Sequence, residues 1–223
     1  GPDFSKEERG ERTLHSCRII PERGSWIELE TNRYDVLSCR LDQSGKMPAT
    51  LLLRALNEDY GTDDDLVRLF YETEEVTFTE GTAASKLRDR ISADTIEIED
   101  GEVTLVRAGD TITDEQAQQL SEAGIDKLTV VEGDPDMMII NTLSDEKAKD
   151  HRSAVRELYG RLRPGTPFNF EKAQEMLWEK FFDENRYRLG KVGRFRMNRK
   201  FGQNVPTDYQ TLRPEDVVEV IKY

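Results

Sequence analysis

The sequence predicts an α+β fold: a host domain of antiparallel strands and helices, split by a small α/β insertion. Three observations predict it. Between Arg18 and Leu56 two short runs alternate apolar and polar residues around a polar turn, and an apolar helical run follows them. Past Val76 the chain changes to short strand-like runs punctuated by glycine and aspartate. Charge segregates with those changes. Residues 1–56 carry 9 acids and 9 bases, 57–150 carry 26 and 8, and 151–223 carry 10 and 15. The net charge of -13 therefore conceals an acidic middle and a basic C-terminal segment.

Each element has its own signal. Gly1-Pro2 reads as the remnant of a protease-removed tag, and residues 3–11 as a charged, aperiodic, frayed lead-in. Thr13 to Ile20 is a strand stopped by Pro21. Gly24 permits a sharp turn before Trp26, and Trp26, Ile27 and Leu29 alternate with Glu28 and Glu30. Thr31–Asp35 is a polar turn, and Val36–Asp42 is the returning strand of a hairpin. Pro48 opens a helix through Leu56, a first-turn place that proline tolerates. Thr62 caps a short helix from Asp63 to Tyr71, whose first-turn aspartates suit the helix dipole rather than a metal.

In the acidic middle, strands are expected at Val76–Phe78, Thr95–Ile98 and Val103–Val106, with Asp100-Gly101 as a hairpin turn. Thr113 caps a helix from Asp114 to Ala123, Gly124 ends it, and Lys127–Val131 is a strand, giving a strand–helix–strand module without a phosphate-binding glycine pattern. Met137–Ile140 reads as a further strand. Ser144 then caps one long helix from Asp145 to Leu162, stopped by Arg163-Pro164-Gly165. Asn169 or Thr166 caps the next helix, a basic stretch 185–201 and a disordered-looking segment 202–209 follow, and a last helix runs from Pro214. It is cut off mid-pattern at Tyr223, so the chain reads as a piece of a longer protein. The expected division is 1–11 lead-in, 12–75 first half of the host, 76–143 insert, and 144–223 second half.

Composition excludes several classes. Apolar residues make up 36% of the chain, too many for general disorder, yet no run approaches the ~20 residues of a membrane span. Cys17 and Cys39, with no CxxC spacing, read as reduced structural thiols, and His15 and His151 do not complete a zinc set. No Asp-x-Asp-x-Asp loop, Walker loop, HExxH or Ser/His/Asp set occurs, so neither a catalytic residue nor a metal or other cofactor is expected in this segment.

Two features carry function. Arg186, Arg188, Lys191, Arg194, Arg196, Arg199 and Lys200 are interleaved with Tyr187, Phe195 and Phe201. Packed with Val192, Phe195 and Phe201 inward, the stretch would turn its cations out to neutralise phosphates; the bland reading is a solvated charged helix. Trp26 is either a core anchor of the hairpin or an aromatic face on which an exposed base stacks.

IIPERGSWIELE (19–30), the hairpin ending in Arg40-Leu41-Asp42, and KMPATLLLRAL (46–56) together resemble the lobe region of the bacterial RNA polymerase beta subunit. LYGRLRPGTPF (158–168) and NRYRLGKVGRFRMNRKF (185–201) resemble the closing half of the same region. The resemblance covers about half the chain. It implies a split lobe domain bearing a lineage-specific insertion, in a cytoplasmic nucleotidyltransferase whose catalytic aspartates belong to the largest subunit. It also implies that Trp26 stacks on a non-template base at the downstream fork and that Arg40, Leu41 and Asp42 line a neighbouring base pocket. Gln43 departs from the basic residue that many relatives keep, which removes one phosphate contact. The implied partners are downstream duplex and non-template DNA, the other polymerase subunits and sigma factor. The rival reading is an interaction module whose acidic insert docks a sigma factor or transcription regulator.

Overall fold

The computed structural model describes residues 1–223. Its strands are β1 (Pro2–Arg9), β2 (Arg12–Ile19), β3 (Ile27–Thr31), β4 (Leu37–Leu41), β5 (Met47–Pro48), β6 (Thr73–Thr77), β7 (Ile96–Ile98), β8 (Val103–Val106) and β9 (Lys127–Val131). Its helices are α1 (Ala49–Leu56), α2 (Asp63–Phe70), α3 (Ala83–Leu87), α4 (Asp114–Glu122), α5 (Met138–Asp145), α6 (His151–Leu162), α7 (Phe170–Phe181), α8 (Lys191–Phe201) and α9 (Pro214–Lys222). No helix is long and apolar enough to cross a membrane. The chain forms two compact units, Gly1–Gly61 with Asp145–Tyr223, and Thr62–Ser144. The fold is α+β.

In the first unit β1 to β5 form an antiparallel meander in sequence order. Its register sets Phe4, Cys17, Leu29, Cys39 and Met47 in one row and Ile19, Ile27 and Leu41 in the next, all on the core face. Asp3, Arg18, Glu28 and Arg40 form the matching row on the other face. Burial pushes both thiols up to about 12, so Cys17 and Cys39 pack as small apolar groups. Every residue of α1 is buried, because α6 and α9 both pack against it. Its one charge, Arg54, donates from Nε to Glu146 at 3.1 Å and from Nη1 to the Gly61 carbonyl at 2.8 Å. Burial pushes the Glu146 carboxyl up, while Arg54 and the Thr50 hydroxyl pull it back down.

The expected frayed lead-in is a strand. β1 pairs with β2 along its whole length, fixed by Phe4 opposite Cys17, by a 2.6 Å contact between the Ser5 and Ser16 hydroxyls, and by Arg18 on Asp3 at 2.7 Å. A single inward apolar residue among charges hid the period.

The second unit packs Phe78, Leu87, Leu105, Ile112, Leu120, Leu128 and Val130 into one core. Thr62 and Thr113 close capping boxes on α2 and α4. β8, α4 and β9 follow one another as the sequence predicts, though the two strands do not pair, β8 lying against β7 and β9 against β6. The run Met137–Ile140 is not a strand; Met138–Ile140 form the first turn of α5. Asp136 accepts from the Met138 amide at 2.8 Å, and Ile139, Ile140 and Leu143 are buried at helical spacing. Nor does one helix run from Asp145 to Leu162. The chain breaks where Glu146 turns in to Arg54, and Asp150 caps α6 by accepting from the Ser153 amide at 2.7 Å.

Candidate nucleic-acid interface

Four stretches of the first unit meet around Trp26. Arg23 pairs with Arg188 through reciprocal backbone hydrogen bonds of 3.1 and 2.7 Å. Gly24 sits at φ 120°, and a Cβ there would lie 2.8 Å from a Tyr187 ring carbon, so only glycine lets the loop lie on that ring. The Trp26 amide donates to Asp42 Oδ1 at 2.9 Å, and the Asp42 amide donates back to the Trp26 carbonyl at 3.0 Å. Lys180, near the end of α7, places Nζ 3.3 Å from Asp42 Oδ2. With its backbone gripped on both sides, Trp26 stands 42% exposed, which argues against a core anchor. Partial burial pushes the Asp42 carboxyl up, but the Trp26 amide, the Ser25 hydroxyl and Lys180 outweigh it and hold the group below its ordinary value.

The basic stretch does not form one strip. Arg194 is fully buried, donating to both Asp216 oxygens at 2.8 and 3.0 Å and to the Tyr209 and Thr211 carbonyls. The inward positions of α8 are Gly193, Arg194 and Met197, and Val192 and Phe195 point to solvent, the reverse of the expected packing. Arg186 is ion-paired with Glu179 at 2.9 Å and Asp183 at 3.7 Å. Lys200 lies 4.5 Å over the Phe4 ring and 4.3 Å over the Tyr223 ring. Arg188, Lys191, Arg196 and Arg199 are exposed and make no ion pair. Segment 202–209, expected to be disordered, supplies the Tyr209 carbonyl that Arg194 holds.

Of the three residues at the hairpin's end, only Asp42 is fully at the surface. Leu41 is 1% exposed and belongs to the core, which corrects its placement among DNA-contacting residues. Arg40 is half-buried opposite Glu28, and its Nε has no hydrogen-bond partner.

Lys180, Trp178 and an arginine pair on α6 escaped the sequence reading. Trp178 is 55% exposed; Ala173, Leu177 and Phe181 take the inward stripe of α7 and leave position 178 outside it, a signal legible by helical periodicity. Arg152 and Arg156 lie one turn apart, over the Phe170 and Phe168 rings at 4.7 and 5.4 Å. His151 is held within the fold, its Nδ1 2.6 Å from the Arg54 carbonyl. No three His, Cys, Asp or Glu side chains cluster with metal-binding geometry.

A family model described as RNA polymerase Rpb2, domain 2, matches residues 129–223. The chain is 44% identical over 229 residues to the DNA-directed RNA polymerase subunit beta of Rhodopirellula baltica, a match spanning 100% of this chain and 18% of that protein. It is 35% identical to the protein of the same description from Methylacidiphilum infernorum, over 95% of this chain and 18% of that one. The Chlamydia muridarum subunit is 32% identical over 100% of the chain and 18% of its own length.

Proposed function

The chain belongs to the family of DNA-directed RNA polymerase beta subunits, of whose length it spans about 18%, and on that premise we propose that it is a lobe lining the downstream DNA channel. In this reading it works inside a cytoplasmic bacterial polymerase, against the other subunits and sigma factor, and holds downstream duplex and non-template strand without taking part in bond making. One observation carries the reading: an exposed tryptophan fixed by its backbone, in a unit that also carries the exposed, unpaired cations Arg188, Lys191, Arg196 and Arg199. A held aromatic ring offers a base a stacking face worth ~1–3 kcal/mol, and free cations supply the salt-dependent grip on phosphates. Arg186 and Lys200 can join only by leaving their present partners.

The test is binding to a forked duplex across a salt series. Arg188→Glu, Arg196→Glu and Arg199→Glu together are expected to weaken binding at least about tenfold and to flatten the salt slope by roughly three. Arg194 is left out because its reversal would unfold the unit. A triple variant that binds as the parent does would sink the proposal.

The acidic unit favours a second reading for itself. Thr62–Ser144 holds 21 acids and 6 bases, a charge that repels phosphates and suits a basic surface of a sigma factor or regulator. It would then be a lineage-specific insertion with a protein partner. Removing it should spare fork binding and abolish capture of that partner; loss of fork binding would count against the division of labour.

A further inference from the structure

We propose that Asp42 and Lys180 act as a positioning pair for Trp26. The inference rests on the DNA-channel reading for its ligand, but not for its geometry.

The hydrogen bonds that hold Trp26 are made by its backbone. Asp42 accepts from its amide with Oδ1 and donates its own amide to its carbonyl, a closed two-bond ring at 2.9 and 3.0 Å. Those backbone bonds fix the position from which the indole projects. Asp42 itself sits at φ 51°, in the left-handed region that aspartate tolerates better than most residues but that still needs support. Lys180 supplies it from α7, 138 residues away in sequence. Its side chain is only 24% exposed, so the ammonium is delivered to Oδ2 on a packed stem rather than swinging in solvent.

The test uses the whole chain with Trp178→Phe, which removes the other tryptophan from an exposed site and leaves fluorescence to Trp26. Steady-state anisotropy and acrylamide quenching of Trp26 report its order without DNA. Lys180→Met should lower the anisotropy and raise quenching, with circular dichroism unchanged, and Lys180→Arg should restore the parent values. Asp42→Asn, which keeps an acceptor for the amide, should lie between parent and Asp42→Ala. A forked duplex carrying 2-aminopurine at the first unpaired position then reads stacking. Lys180→Met is expected to weaken it about two- to fivefold, the range of a single exposed charge pair.

Unchanged Trp26 anisotropy in both Lys180→Met and Asp42→Ala overturns the positioning pair. Altered anisotropy with no 2-aminopurine response in any variant, the parent included, leaves the pair standing and instead removes DNA as the ligand.

Discussion

Arg194 and Arg196, two residues apart on α8, have opposite fates. Arg194 is engaged by both oxygens of Asp216 and by two carbonyls inside the unit, whereas Arg196 is exposed. Removing one partner of such a pair strands the other charge away from water. Arg194→Met is therefore expected to cost about 3–5 kcal/mol in urea denaturation, and adding Asp216→Leu should recover much of it. A loss under about 1 kcal/mol for the single variant would mean that water reaches Asp216. Sequence alone cannot separate the two arginines. The inward positions Gly190, Gly193, Arg194 and Met197 fall at helical spacing but carry one apolar side chain among them, so periodicity points outward instead. Trp26 was legible as a well-placed aromatic and no further. Its backbone is held by Asp42, which Lys180 contacts in turn, and no local pattern encodes either contact.

At the scale of elements, caps were the most readable signal. Thr62, Thr113 and Asn169 each accept the amide bond that their position in the sequence implies. Asp150 was missed because the sequence offered Ser144 as a cap for a longer helix. Its carboxyl is held below the usual range chiefly by the Ser153 amide. A depressed carboxyl contributes stability that is present above its unfolded pKa and lost as pH falls through the folded value. Asp150→Ala should cost ~1 kcal/mol near neutrality, with the difference from the parent shrinking in acid below about pH 4. A difference that stays constant to pH 2 would show that the charge plays no part. The wrong strand at Met137–Ile140 has a plain cause, since a four-residue apolar run fits either period and only Asp136 and the buried Leu143 decide it. β1 failed in the other direction: its outward row is ionic and its inward row nearly empty, so alternation had nothing to show.

The charge map located the acidic segment, and the compact unit runs from Thr62 to Ser144 where the sequence reading began the insert at 76. The difference is α2, whose Asp64 accepts from the Thr95 amide at 2.8 Å and whose Arg68 donates to the Ala93 carbonyl at 2.5 Å, tying it to the acidic unit. Excision should follow those bonds. Replacing Thr62–Ser144 with a short Gly/Ser linker is expected to leave a single cooperative melting transition for the remainder, shifted by no more than about 8 °C. Cutting at 76–140 instead should strand α2 and broaden the transition. Arg54 gives the reason that the first design should work. One guanidinium holds the carbonyl of Gly61, where the chain leaves the host, and the carboxylate of Glu146, where it returns. The opening is thus drawn shut by a drawstring belonging to the host alone. Evolution could lengthen, exchange or delete whatever is threaded through it, and the host's core residues would not have to change.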